Sequence, residues 1–288
     1  MRSAGGTTER MGEDALLDYL QPWLQRWNLI PDGSGIETHT SVLLPVLASG
    51  QPAMLKVATA PEEERGAVVL AWWEGDGAAR VLALEGEAVL MERATGPRSL
   101  VRMSTSGDDD AATRMLCAAA ARLHAPRPHP PASAVPLETW FASLAPAAER
   151  MGGILARAHA TATHLLATQR DVTILHGDLH HGNVLDFGAR GWLAIDPKGL
   201  CGERGYDFAN IFCNPDLATA TSPGQVSRRA DIVAEVAGIE RARLLQWVLA
   251  YAGLSASWSM EDGEDPGLAL AVAEIAAADL FQEHTIDF

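Results

Sequence analysis

One run of this chain limits its fold more than any other: Ile174-Leu-His-Gly-Asp-Leu-His-His-Gly-Asn-Val-Leu185, followed by Leu193-Ala-Ile-Asp-Pro197. Short aliphatic and β-branched stretches (Val172 to His176, Val184 to Phe187, Gly191 to Ile195) bracket a polar loop and a Gly-Ala-Arg-Gly turn, which is the pattern of three short strands. A strand, loop, strand, turn, strand course brings Asp196 back beside Asn183. The run thereby gathers an acid-base group, Asp178, and two groups, Asn183 and Asp196, able to share one hard cation. An ordinary Gly-rich polar turn would explain the loop alone. It would leave the spacing of all three groups to coincidence.

Asp178 and Asn183 have the separation of Asp and Asn in the protein kinase catalytic loop H-R-D-L-x-x-x-N, and Asp196 stands where the Asp of D-F-G follows. In phosphoryl transfer these positions orient the attacking hydroxyl and hold Mg²⁺ under a nucleoside triphosphate. Here the slots read H-G-D-L-H-H-G-N and I-D-P, without the Arg after His or the Phe-Gly after Asp. The expectation is kinase chemistry outside the protein kinases.

Composition narrows the class. A chain of 288 residues, 48% hydrophobic, can form two lobes around a cleft. No window reaches the roughly 18 uncharged apolar residues of a membrane span, and the start MRSAGGTTERMGED has no apolar h-region. Cys117, Cys201 and Cys213 lack metal-ligand spacing and read as packing residues in a reducing cytoplasm. A net charge of −15 opposes nucleic acid and anionic membranes as partners. It suits a cationic small substrate, or simply solubility. A monomer is expected.

The run LHGDLHHGNVL, with GWLAIDPKGL and GERGYDFANIFCNPD, resembles the aminoglycoside phosphotransferase family, most closely its streptomycin 6-phosphotransferase group, which includes the hydroxyurea phosphotransferases. THTSVLLPV, PAMLKVA, WWEGDGAARVLA, LMERATG and YAGLSASW extend the resemblance over most of the chain. That group commonly carries Glu where Gly182 stands. The resemblance implies an ATP-dependent kinase that phosphorylates a hydroxyl of a cationic aminocyclitol antibiotic, streptomycin at its 6-position, with ATP and Mg²⁺. A kinase of hydroxyurea or another small hydroxylated metabolite is the alternative. It also implies an α+β, two-lobed, protein-kinase-like fold. Residues 1–93 would form a small β-rich nucleotide lobe and residues 94–288 a larger, mainly helical catalytic lobe.

The pattern along the chain agrees with this division. A helix is expected over Asp14 to Trp27 and a hairpin over Val42 to Val46 and Ala53 to Val57. A helix over Pro61 to Trp73 and strands over Ala79 to Leu84 and Glu87 to Glu92 follow. From Asp109 the chain reads as largely helical, interrupted by the Pro-rich loop Ala125 to Pro136.

Lys56, in Met54-Leu-Lys-Val57, takes the place of the β3 lysine over the nucleotide phosphates, although a lone Lys among apolar residues also suits an exposed edge. Glu62, Glu63 and Glu64 could each pair with it, and Glu64 is chosen. No G-x-G-x-x-G loop is present, so Thr40 and Ser41 are the phosphate candidates, against a plain polar turn. The backbones of Glu92 and Ala94 would meet adenine at the hinge. His176 reads as structural. His180 and His181 admit a metal-dependent hydrolase, and a non-catalytic nucleotide-binding regulator is a second rival. Trp247, Tyr251, Leu254 and Trp258 form a helical stripe, more often core than cleft wall. Glu203, Asp207, Glu261 and Asp262 are the candidate contacts to a guanidinium-bearing substrate, although Asp207 is better suited to bracing the catalytic loop by hydrogen bonds.

Overall fold

The computed structural model describes residues 12–286; residues 1–11, where the absence of an h-region is read, lie outside the described residues. Helix α1 (Glu13–Arg26) buries Leu16, Leu20 and Leu24, spaced one helical turn apart. It lies on an antiparallel sheet of β1 (Leu29–Pro31), β2 (Ile36–Glu37), β3 (Ser41–Ala48), β4 (Gln51–Ala58), β5 (Val81–Glu85) and β6 (Ala88–Glu92), ordered β1-β3-β4-β6-β5 with β2 also on β3. Strands β3 and β4 pair up to Ala48 and Gln51. Between them Ser49 and Gly50 have φ of 49° and 76°, the two positive values a tight primed turn requires. Between β4 and β5 runs α2 (Pro61–Trp72), started by Pro at its first turn.

The carboxy-terminal part contains α3 (Leu100–Thr105), α4 (Asp109–Leu123), α5 (Leu137–Trp140), α6 (Leu144–Met151), α7 (Gly153–Ala167), α8 (Gly205–Ala209), α9 (Leu217–Ala220), α10 (Gln225–Ala237), α11 (Arg241–Asp262) and α12 (Gly267–Ile286). Five short strands interrupt it: β7 (Val135–Pro136), β8 (Val172–Leu175), β9 (Val184–Asp186), β10 (Trp192–Ala194) and β11 (Leu200–Glu203). β9 and β10 form an antiparallel hairpin, and β11 lies between β7 and β8. Trp247, Tyr251 and Leu254 of α11 are buried and Trp258 is half-buried. The aromatic stripe is therefore core, packed through Tyr206 and Phe141.

Two apolar clusters result. One joins α1 to the outer face of the sheet. The other runs without a break from Val69, Leu70, Trp73, Val89 and Met91 into the helices. Backbone bonds stitch the same junction: Ala79 N–H to the Ala194 carbonyl and Ala194 N–H to the Gly77 carbonyl, each 2.9 Å, and Gly96 N–H to the Asp186 carbonyl, 2.9 Å. Arg98 adds a two-pronged bond to the Asp186 carboxylate at 2.7 and 2.9 Å, and that guanidinium holds the Asp186 pKa down to about 2. The β9–β10 hairpin, which carries Asn183 and Asp196 at its ends, is thus anchored to the sheet.

Candidate active site

A cavity of about 520 Å³ opens between the amino-terminal sheet and the β9–β10 hairpin. It brings together Ser41, Lys56, Glu92, Ala94, Asn183 and Asp196, residues separated by up to 155 positions but singled out together in the sequence. Leu43, Met54, Met91, Leu185, Phe187 and Ile195 supply apolar walls suited to a flat ring. At the hinge, the Glu92 amide is already bonded to the Arg80 carbonyl at 2.9 Å and its carboxylate pairs with Arg190. The Ala94 amide has no partner among the described residues. Ser41 is buried, its hydroxyl bonded to that of Thr38 at 2.9 Å.

The loop after β8 fixes Asp178 from three sides. Asn210 donates to Oδ1 at 2.8 Å, Asn183 donates to Oδ2 at 3.1 Å, and the Asp178 amide donates to His176 Nδ1 at 3.1 Å. Because His176 Nδ1 accepts, its Nε2 carries the proton and donates to the Ile195 carbonyl at 2.8 Å. His176 is wholly buried, and burial lowers its pKa. It is a neutral strut between the loop and the residue before Asp196. Both Asn183 Nδ2 hydrogens go to Asp178, the second to its carbonyl at 2.9 Å. Its Oδ1, without a partner among the described residues, is left as an acceptor beside the cavity. Asn210 is oriented in turn by Asn214, which donates to its Oδ1 at 2.9 Å.

The ion-pair partner of Lys56 is Glu63, which corrects the choice of Glu64. Glu63 is buried and Glu64 exposed. Glu63 sits on the stripe Glu63, Gly66, Val69, Leu70 that α2 turns inward, whereas Glu64 is rotated one residue away. Gly66 packs onto the Pro197 carbonyl so closely that a Cβ would overlap it. Glu63 also accepts from Thr40 Oγ1 and from Lys198 Nζ, each at 2.9 Å, and Lys56 reaches Asp196 as well. Lys198 Nζ lies 3.6 Å from Asp196 Oδ2. Lys56, Glu63, Lys198 and Asp196 therefore close a ring of alternating charge. Burial alone would raise the Asp196 pKa, and the two ammonium groups override it and hold it down to about 2. Asp196 has φ of 59°, a left-handed conformation that a non-glycine residue holds only under constraint. Asn183 and Asp196 lie on adjacent backbone, Ile195 N–H donating to the Asn183 carbonyl at 2.9 Å. A free carboxamide oxygen and an ionised carboxylate are a donor set that fits Mg²⁺.

Two expected substrate contacts are corrected. Glu203 is buried, receiving Arg243 at 2.6 and 3.0 Å and the Trp247 indole at 2.8 Å. Asp207 is buried too, accepting from the His176 and Gly177 amides at 2.9 and 2.8 Å and facing His124 Nε2 at 2.7 Å. It braces the catalytic loop. Glu261 and Asp262 are exposed at the end of α11. His181 is buried against Asp109 at 3.9 Å, and burial drives its pKa to about 3. Among the described residues no three His, Cys, Asp or Glu side chains gather as metal ligands. Sequence reasoning missed Asn210 and Lys198. The first could have been found one helical turn after Asp207, on the same face. The second stands two residues past Asp196.

No helix of the described residues is long and apolar enough to cross a membrane. Comparison with known proteins matches residues 26–263 to the family described as aminoglycoside/hydroxyurea antibiotic resistance kinase. A streptomycin 3''-kinase from Klebsiella pneumoniae is 52% identical over 83% of this chain and 92% of its own length. A streptomycin 6-kinase from Streptomyces glaucescens is 32% identical over 94% of this chain and 90% of its own. Among solved structures, an aminoglycoside phosphotransferase APH(4)-Ia in complex with ADP and hygromycin B superimposes with a TM-score of 0.59, at 14% identity, over 91% of this chain and 96% of that one. The two-lobed, protein-kinase-like α+β fold is shared.

Proposed function

The chain belongs to the aminoglycoside/hydroxyurea antibiotic resistance kinases and is a phosphotransferase, and on that premise we propose that it transfers the γ-phosphoryl group of ATP to a hydroxyl of streptomycin. The observation that carries the reading is the meeting of Lys56, Asn183 and Asp196 at one cavity, with Asp178 held beside Asn183 by two carboxamides. Residues 1–93 serve as the nucleotide lobe and residues 94–288 as the catalytic and substrate lobe. Mg²⁺, held by Asn183 and Asp196, supplies charge neutralisation at the phosphates. Lys56 steadies the phosphates, the Ala94 amide and the Glu92 backbone meet adenine, and Asp178 orients the acceptor hydroxyl and takes its proton. Glu261 and Asp262, exposed and acidic, meet the cationic part of the substrate.

The 6-hydroxyl is the acceptor expected from the sequence. The name of the 52%-identical relative, a 3''-kinase, favours the 3''-hydroxyl as a second reading. Incubating the protein with Mg·ATP and a panel of aminocyclitols, hydroxyurea and a peptide should give streptomycin-dependent loss of ATP. NMR of the product then reads the phosphorylated position. Turnover of hydroxyurea or another small hydroxylated metabolite, with none of streptomycin, would overturn the acceptor assignment.

A further inference from the structure

Lys198 is a second ammonium group in this site, and Lys56 is enough to account for the nucleotide cavity. Lys56 and Asp196 line that cavity and Lys198 does not. The Lys198 amide donates to the His176 carbonyl at 2.7 Å, and its Cβ lies against Gly177, so the residue is pinned to the start of the catalytic loop, next to the residue before Asp178. From there its Nζ reaches Glu63 at 2.9 Å and Asp196 at 3.6 Å, with a fifth of its side chain exposed. On the residue roles proposed above, the nucleotide phosphates approach Asp196 from the cavity and the acceptor hydroxyl approaches Asp178. The phosphoryl group must pass between these two carboxylates. Lys198 is a cation that meets Asp196 directly and stands against the His176–Gly177 backbone that leads into Asp178.

We propose that Lys198 is a catalytic residue that binds the phosphoryl group in transit, while Lys56 binds the phosphates that stay on the nucleotide. The acceptor oxygen forms its bond to the γ-phosphorus as the bond to the bridging oxygen breaks. The electron pair of the broken bond stays on ADP, and the hydroxyl proton passes to Asp178. Negative charge on the equatorial oxygens lies beside Lys198 throughout. A fixed cation at that place stabilises the transition state more than either ground state, which is the condition for a gain in kcat.

The test is Lys198→Gln beside Lys198→Arg, with kcat, both KM values, equilibrium binding of Mg·ATP and the melting temperature measured for each. Removal of one fixed electrostatic contact to a transition state costs roughly 100- to 1000-fold in kcat. Lys198→Gln should show that loss with nucleotide affinity within about threefold of wild type. Lys198→Arg, which keeps the charge and the Glu63 pair, should recover at least tenfold of it. A kcat within about fivefold of wild type in Lys198→Gln overturns the proposal. So does a fall in nucleotide affinity and melting temperature that matches the fall in kcat, since that marks a lysine needed only to hold Glu63. If Lys198→Gln does not fold, the arginine variant decides: wild-type stability with kcat reduced more than 100-fold overturns it. The wild type is run on every acceptor. If it phosphorylates some hydroxyl other than streptomycin's, the acceptor reading fails while Lys198 is still read on that acceptor.

Discussion

At the scale of single residues, the charge ring makes neighbouring glutamates unequal. Glu63 is the shared anion of two lysines and the acceptor of the Thr40 hydroxyl. Glu64, one residue further round the helix, is exposed. Glu63→Gln leaves buried Lys56 and partly exposed Lys198 facing one carboxylate, and breaking a buried pair such as Lys56–Glu63 costs on the order of 3 to 5 kcal/mol. Thermal unfolding should drop by several degrees and kcat/KM for ATP should fall, whereas Glu64→Gln should match wild type in both. Equal behaviour of the two variants would mean that Lys56 does not depend on Glu63. Asp178→Asn should abolish turnover while leaving Mg·ATP affinity nearly intact, because the side chain addresses the hydroxyl and not the phosphates. Near-full turnover in that variant would remove Asp178 from the mechanism. The cysteines give a pH-dependent readout. Burial pushes Cys117 and Cys213 up to about 12, so at pH 8 their thiolate fraction is on the order of 10⁻⁴. Half-buried Cys201 is raised as well, by burial and then by Glu138. The sign is toward protection: a thiol reagent should label Cys201 slowly in the native protein, faster with each added pH unit, and all three only after denaturation. Rapid native labelling of Cys117 or Cys213 would contradict their burial.

At the scale of elements, the site depends on how α2 sits on the segment after Asp196. Gly66 meets the Pro197 carbonyl, and a Cβ on Gly199 would stand 3.2 Å from the Arg65 carbonyl oxygen. Gly to Ala inside a helix ordinarily stabilises by about 0.5 to 1 kcal/mol. At Gly66 the added methyl must push the helix off Pro197, and overpacking of that kind costs roughly 1 to 3 kcal/mol. Gly66→Ala should therefore lower the melting temperature and weaken Mg·ATP binding together, as Glu63 and Asp196 separate. A raised melting temperature would show that α2 is not pressed on this segment. The same helix marks what was legible in the sequence. The three strands around the catalytic loop and the β3–β4 hairpin were readable because their signals are local: apolar runs, a turn, fixed spacing. The choice of Glu64 failed because the inward face of a helix depends on what it packs against. The stripe Gly66, Val69, Leu70, carried back one turn, falls on Glu63, and that phase was the available signal. Glu203 and Asp207 carried no local signal of their partners. Arg243 lies 40 residues beyond Glu203, and the amides that Asp207 receives belong to residues 30 and 31 positions away.

At the scale of the whole molecule, a net charge of −15 sets a long-range field that treats the two acceptor classes of the family differently. A cationic antibiotic is drawn toward an acidic surface, a neutral molecule such as hydroxyurea is not, and added salt weakens the attraction as the Debye length shrinks to about 8 Å at physiological ionic strength. With Mg·ATP saturating, kcat/KM for streptomycin should fall several-fold as ionic strength rises, while that for a neutral acceptor stays flat. The acidic end of α11 is the local part of this field. Glu261 lies ten residues beyond Tyr251, about 15 Å along the helix axis at about 1.5 Å per residue. A contact there tests whether the acceptor reaches that far from the catalytic loop. Neutralising Glu261, Asp262, Glu264 and Asp265 together should raise the antibiotic KM several-fold at low salt, leave the KM for ATP unchanged, and flatten the salt dependence. An antibiotic KM that does not move at low salt would confine the run to solvation. The cation would then have to be met by groups nearer Asp178, since Glu203 and Asp207 are already committed to Arg243, Trp247 and the loop amides.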